Sequence, residues 1–296
     1  MGNKIIYALL LTWVRVHAIL PMSVLYLLSD IFYFLIYFVV RYRRKIVAKN
    51  LKNSFPDKSK KERRLLERRF YRHFSDHIVE IIKLAAITQE ELLKRANVRN
   101  PGLVYDLMDR GHTTFIMVMG HYANWEWFSG VTARFEGRTT IYQIYRPLKN
   151  KAFDRLFNNI RTRFHSLGIR KNEAVRDLIN LKRNKTPALV VFIADQTPSK
   201  ANLLYWTNLL NQDSSILTGP ERMARKLDVP VIFADTQKTG RGFYIVDLRL
   251  ITEHAKETPE FWITEQYARM METCILRDSA YWLWSHNRWK HGRIKN

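Results

Sequence analysis

The stretch Gly120-His121-Tyr122-Ala123-Asn124-Trp125-Glu126 sets a carboxylate five residues after an imidazole. Imidazole, with a reference pKa near 6.5, is mostly neutral yet basic near neutral pH, and a positioned base of this kind contributes about 10²- to 10⁴-fold in rate. On one ideal helix, five residues turn the chain through about 140°, so His121 and Glu126 would not face each other. They meet if the motif bends, with His121 on a turn and Glu126 in the first helical turns behind it. The carboxylate then reaches back to one ring nitrogen and leaves the other as a base. A His and a Glu that merely cap and satisfy the turn give the same spacing, so both readings stand at this point. There is no Gly-x-Ser-x-Gly elbow. Cys274, the single cysteine, lies in an amphipathic pattern with Trp262, Tyr267, Met270, Met271 and Ile275. Covalent catalysis therefore has no evident agent, and direct attack by an acceptor hydroxyl is the simpler chemistry. His73 and His77, four apart with Asp76 and Glu80 nearby, do not make a metal site on their own, and neither a metal nor a cofactor is expected.

A base needs elements that aim it. The apolar run Thr113 to Met119 is too short for a helix and reads as a buried strand ending just before His121. Similar runs cover Thr140–Tyr145, Ala188–Ala194, Val231–Asp235 and Phe243–Leu250, separated by helical patterns at Asn124–Arg134, Lys151–Leu167, Glu173–Arg183 and Pro220–Leu227. Strands alternating with helices predict an α/β fold with a mostly parallel central sheet flanked by helices. The last two strands are expected to form an antiparallel hairpin through Lys238, Thr239 and Gly240. Earlier in the chain, Ser59 with Glu62 forms a capping box, and Leu66, Phe70, Phe74, Ile78, Ile81 and Ala85 recur at helical spacing. Arg146 and Asp195 each follow an expected strand, so a parallel sheet gathers them at the edge that holds His121. An Arg146–Asp195 ion pair that only braces loops is the alternative for these two. Asn124 and Gln196 are candidates to fix the pocket by hydrogen bonding, although helix capping also accounts for Asn124.

The 296-residue chain carries 49 Lys and Arg against 27 Asp and Glu, a formal charge of +22, and 47% hydrophobic residues exclude global disorder. Such a charge points to anionic partners. Ala18 to Val40 is apolar apart from Asp30 and long enough to span a bilayer, yet an ionised Asp costs about 2.5–3.5 kcal/mol near its centre. Spanning and lying in the interface both remain open. Thirteen Lys or Arg against three acidic residues follow between Arg41 and Arg69. Basic residues beside a hydrophobic segment mark the cytoplasmic side and attract an anionic leaflet. The expected organisation is a hydrophobic helical membrane anchor over residues 1–45 and a single catalytic domain over 46–296. Aromatic and basic residues of Trp282 to Lys290 invite comparison with nucleobase stacking, but no recognition motif supports nucleic-acid binding.

The motifs taken together are more specific than any alone. They are His121-Tyr122-Ala123-Asn124-Trp125-Glu126, Tyr145-Arg146-Pro147 with Asn150 and Asp154, Ala194-Asp195-Gln196-Thr197-Pro198, Thr218-Gly219-Pro220 and Trp282-Leu283-Trp284-Ser285-His286-Asn287-Arg288-Trp289-Lys290. With the hydrophobic N-terminus, this set resembles the late acyltransferases of lipid A biosynthesis, within the wider superfamily that shares a His-x4-Asp/Glu motif. The resemblance implies transfer of a fatty acyl chain from acyl carrier protein to a hydroxyl of a phosphorylated, membrane-embedded lipid A precursor at the cytoplasmic face of the bacterial inner membrane. It implies His121 as general base with Glu126 as partner, Arg146 as a charge contact to substrate, and Asp195 as a structural or orienting carboxylate. Acylation of a lysophospholipid or an aminolipid, with acyl-CoA or the carrier protein as donor, would use the same motif. An apolar slot for the acyl chain has Trp125, Trp127 and Phe128 as candidates, against the plainer reading that they pack the core.

Overall fold

The computed structural model describes residues 2–292, apart from the side chains of 2–6, 9 and 10. Met1 and residues 293–296, the outer ends of the expected anchor and domain, lie outside the described residues. Strands β1 (Ala96–Val98), β2 (Thr114–Met119), β3 (Thr140–Tyr145), β4 (Leu167–Arg170), β5 (Ala188–Ile193), β8 (Val231–Gly240) and β9 (Phe243–Thr252) form one sheet in the order β1-β9-β8-β2-β5-β3-β4. All neighbours run parallel except β8 and β9. Two further strands, β6 (Tyr205–Leu209) and β7 (Gln212–Ile216), make a separate antiparallel hairpin. The expected α/β fold with a mostly parallel sheet is the one observed. Every residue of β2 is buried, as a central strand covered on both faces requires.

Helices α1 (Gly2–Ala18), α2 (Met22–Phe34), α3 (Arg44–Ser54), α4 (Lys60–Leu84), α5 (Gln89–Arg95), α6 (Gly102–Asp109), α7 (Lys151–Arg161), α8 (Ala174–Arg183), α9 (Gly219–Leu227) and α10 (Trp262–Arg277) surround the sheets. Pro21, which has no N–H to donate, separates α1 from α2, and α2 runs on into a π turn at Leu35–Val39. α2 lies along α4, where Met22, Leu25 and Ser29 are buried. Polar bonds lock the contact. Ser29 donates to Asp76 (2.7 Å), Tyr26 to Glu80 (2.9 Å), and Arg241 reaches both Asp30 and Asp76 at 2.7 Å. Away from α4, Val24, Leu27, Ile31, Phe34 and Phe38 form an exposed stripe at helical spacing, and Trp13 and Val16 of α1 and Ile19 just after it are exposed too.

The capping box is present, with Ser59 accepting from the Glu62 N–H and Glu62 accepting from that of Ser59. The inner face of α4 is far more polar than its apolar repeat predicts. Glu67, His73, Asp76, His77, Glu80 and Lys83 are all buried on it, while Phe74, Ile78 and Ile81 are only partly covered. Three local expectations are corrected. Residues 124–134 do not form an α-helix: a 3₁₀ stretch begins at Trp127, because Ala123 takes a left-handed bend (φ 54°) and Asn124 caps the Trp127 N–H. The helix expected to reach Leu167 ends at Arg161, since Leu167 starts β4. Lys238–Gly240 belong to β8, and the hairpin turns at Arg241-Gly242, where Gly242 has φ 76° and a Cβ would strike the Tyr26 hydroxyl at 1.9 Å.

Candidate active site

Parallel register alone brings the first two site residues together. β2 and β5 are neighbours with Met119 opposite Ile193, so His121 and Asp195 both lie two residues beyond the same rung. The imidazole Nδ1 stands 2.6 Å from Asp195 Oδ1. Asp195 is buried, and although burial opposes its ionisation, the adjacent His121 ring and the bonds from His121 and Trp282 hold its carboxyl below the usual range. An ionised carboxylate only accepts, so Nδ1 carries the proton and Nε2 is left as the basic nitrogen. Gln196 Nε2 donates to that nitrogen at 3.2 Å, on the lone pair a substrate proton would use.

The loop carrying His121 is held from three sides. Tail residues pair with it as a short antiparallel ladder: Ala123 N–H donates to Tyr281 (2.9 Å), Leu283 N–H donates to His121 (3.1 Å), and Tyr122 bridges Trp282. The Trp282 indole also donates to Asp195 Oδ2 at 2.7 Å. Both Trp282 and Trp284 are buried, which removes them as stacking surfaces for nucleobases. Beneath the loop, α4 sends up His73, His77 and Glu80 at helical spacing. Lys238 donates to His73 Nδ1 (3.3 Å), so His73 Nε2 donates to the Ala123 carbonyl (3.2 Å), and burial beside Lys238 keeps this ring neutral, well below the ordinary histidine range. His77 packs against Trp125 with ring centroids 4.0 Å apart and the planes tilted by 43°. Burial pushes its pKa down to about 4, and both its nitrogens lack a hydrogen-bond partner among the described residues. On the third side Gly120 lies under α10, where a Cβ would meet Met271 Sδ at 2.4 Å.

Glu126 turns away from the imidazole. Its carboxylate takes a two-pronged bond from Arg161 of α7, at 2.6 and 2.8 Å. Burial opposes its charge, but Arg161, His77 and His121 together hold it below the usual carboxylate range. The contact expected between Glu126 and a ring nitrogen is therefore replaced: Asp195 occupies Nδ1, and the bend at Ala123 carries Glu126 toward α7. Asn124 is buried and divides its amide between Glu80 (2.7 Å) and the Trp127 N–H (3.0 Å). Arg146 is exposed and makes no ion pair among the described residues, so its suggested pairing with Asp195 does not occur. Trp127 and Phe128 pack in the core. Trp125 instead lines a small recess of only about 10 Å³ with Phe70, His73, Phe74, His77, Tyr281 and Leu283, and its indole meets the His121 ring edge-on at 5.1 Å. Cys274 is buried against Asp235 (3.1 Å), and burial and that carboxylate keep the thiol protonated. No cluster of three metal-ligating side chains occurs among the described residues.

Over residues 3–291 the sequence matches the family described as bacterial lipid A biosynthesis acyltransferase. The chain belongs to that family. No curated protein matches it. In this acyltransferase three residues next to the motif escape a reading of the sequence: Arg161, Trp282 as a side-chain donor, and Glu80. Arg161 lies 35 residues from Glu126 and Trp282 lies 87 from Asp195, distances at which spacing carries no signal. Glu80 was visible only as part of a weak metal pattern, and its contacts with Tyr26, Asn124 and Tyr244 show a different use.

Proposed function

We propose that the enzyme transfers a fatty acyl chain from acyl carrier protein to a hydroxyl of a phosphorylated lipid A precursor at the cytoplasmic face of the bacterial inner membrane. The observation that carries this is the Asp195–His121 pair at the carboxyl edge of the sheet, within a chain that matches the family almost end to end. His121 Nε2 removes the proton of the acceptor hydroxyl as its oxygen attacks the thioester carbonyl carbon. The C–S bond then breaks and the leaving thiolate takes the proton, which returns the imidazole to its starting form without a covalent intermediate. Asp195 fixes the tautomer and stabilises the imidazolium. Glu126, kept ionised by Arg161, adds a second negative charge near the same ring and anchors the start of the 3₁₀ stretch. Gln196 steers the incoming hydroxyl by sharing Nε2, and exposed Arg146 contributes a positive charge to a phosphate or to the thioester oxygen.

Two surfaces support the choice of partners. Lys45, Lys49, Lys52, Lys58, Lys60, Lys61 and Arg64 are exposed on α3, the turn after it and the start of α4, a field suited to an acidic carrier protein. The outward stripe of α1 and α2 suits a lipid surface. One helical stretch, Met22–Val39, is long and apolar enough to cross a membrane. We read it as lying in the interface, because crossing would break the Tyr26, Ser29 and Asp30 bonds to the body of the protein and move Asp30 into hydrocarbon at about 2.5–3.5 kcal/mol. The acyl-transfer reading is tested by mass spectrometry of lipids after incubation with acylated carrier protein and a tetra-acylated lipid A precursor. One added acyl mass, lost in His121→Ala, is the expected result. Acylation of a lysophospholipid or aminolipid in the same mixture, with none of the precursor, would overturn the acceptor assignment and keep the mechanism.

A further inference from the structure

Glu80 lies in the interior of α4, fully buried, and nothing in the acyl-transfer mechanism uses it. Its carboxylate accepts three hydrogen bonds, from Tyr26 of α2 (2.9 Å), Tyr244 of β9 (2.8 Å) and Asn124 of the His121 loop (2.7 Å). Its backbone carbonyl accepts a fourth from the Trp127 indole (2.9 Å). A buried acid is a costly way to pack a helix on a sheet, since an apolar side chain of similar volume is often neutral or better. What an apolar side chain cannot supply is a fixed direction for the Asn124 amide. With Nδ2 drawn to Glu80, Oδ1 must face the Trp127 N–H, which it accepts at 3.0 Å. That arrangement ends the loop and starts the 3₁₀ stretch, one residue after the left-handed bend at Ala123 and three after His121. His73, two turns back on the same helix, holds the Ala123 carbonyl from below.

We propose that Glu80 is a positioning residue for acyl transfer: by orienting the Asn124 amide it sets the bend at Ala123 and so the placement of His121 Nε2 against the acceptor hydroxyl. The proposal rests on the acyl-transfer reading above. Misplacing a reacting group by about 1 Å costs on the order of 100-fold in rate, while a substrate that binds through other contacts keeps its affinity. The test uses the full chain in detergent or bicelles and the variants Glu80→Ala and Glu80→Gln. Glu80→Ala removes every side-chain acceptor and is expected to lower kcat by about 10- to 100-fold with KM for the acylated carrier protein changed less than about threefold. Glu80→Gln restores the arrangement, because its oxygen serves Asn124 and Tyr244 while its amide faces Tyr26, whose hydroxyl turns to accept. Its kcat should return to within about threefold of the parent.

A second measurement is independent of substrate: the rate at which diethyl pyrocarbonate modifies His121, followed by peptide mass spectrometry. It should rise several-fold in Glu80→Ala and stay at the parental rate in Glu80→Gln. The proposal is overturned if Glu80→Ala keeps both kcat and His121 reactivity near parental values, if Glu80→Gln is as impaired as Glu80→Ala, or if the loss of rate equals the loss of folded protein seen by circular dichroism. A parent enzyme that acylates no lipid A precursor sinks the acceptor assignment instead, and the His121 reactivity then decides the role of Glu80 by itself.

Discussion

At the scale of residues, the site depends on which proton sits on which nitrogen. Asp195→Asn keeps the shape of the side chain but offers Nδ1 an amide donor, which drives the proton to Nε2 and removes the base. The expected result is a fall in kcat of about 10³- to 10⁴-fold in a protein that stays folded but melts at a lower temperature near neutral pH, measured by steady-state kinetics and calorimetry. Acid stability separates two kinds of buried carboxylate. Asp195 and Glu126 are held below their ordinary values, so the stability they contribute is present above the normal carboxylate range and is lost as pH falls through their lowered folded values. Glu80 has the opposite sign: burial lifts it to about 6 against the pull of Lys238 and its donors, so stability is lost as pH rises from the unfolded value near 4.5 through 6. Glu80→Gln removes that dependence. Its melting temperature should gain on the parent between pH 4.5 and 7, and a constant difference across that range would show that the Glu80 carboxyl is not raised. His121 and Asp195 were legible in the sequence as residues just past strands, but their pairing was not, because the β2–β5 register that aligns them is a property of the sheet. The expected His121–Glu126 contact came from proximity in the chain, and Arg161 was too far along it to be weighed.

At the scale of elements, close approach decides. Gly120 lets α10 press on the end of β2, and Gly120→Ala would push a methyl into the buried Met271 side chain, with Asp195 only in ordinary contact at 3.5 Å. Overpacking of this kind costs about 1–3 kcal/mol, here paid by the His121 loop. We expect Gly120→Ala to lower both kcat and melting temperature, and Met271→Ala in the same chain to recover most of the loss; additive losses in the double variant would contradict the contact. The strands that sequence patterning missed share a cause. β1 and β4 have only three and four residues, too short to show alternation. The β6–β7 hairpin turns through Leu210 and Asn211, both left-handed (φ 53° and 61°), and a leucine there hides the usual glycine signal. Conversely, β2, β3 and β5 were visible to within a residue: β2 is buried throughout and β5 nearly so, and β3, largely half-buried, still reads as an unbroken β-prone run. The apolar repeat of α4 located the helix but not its buried polar face, since burial of His73, Asp76, His77 and Glu80 depends on partners from α2, β8, β9 and the loop after β2.

At the scale of the whole molecule, the proposed function assigns the apolar surface to lipid and the basic surface to the carrier protein. Each exposed Leu, Ile or Phe of the outward stripe gains about 1.5–3 kcal/mol on leaving water, which outweighs any single charge–lipid contact of about 1 kcal/mol. Leu27→Asp with Ile31→Asp should therefore abolish flotation with liposomes in high salt, whereas neutralising Lys45, Lys49 and Lys52 should leave it intact and slow transfer from the carrier protein in a salt-dependent way. Persistent flotation of the double aspartate variant would point to attachment elsewhere.

The ladder between residues 281–283 and the His121 loop also fixes when activity can begin. Helices α1 and α2 leave the ribosome before any strand, whereas Trp282, which braces Asp195, emerges after every strand of both sheets. If α1 and α2 bind lipid as proposed, a growing chain can do so while His121 and Asp195 are still unbraced. On the proposed reading, attachment to the lipid surface would precede completion of the site.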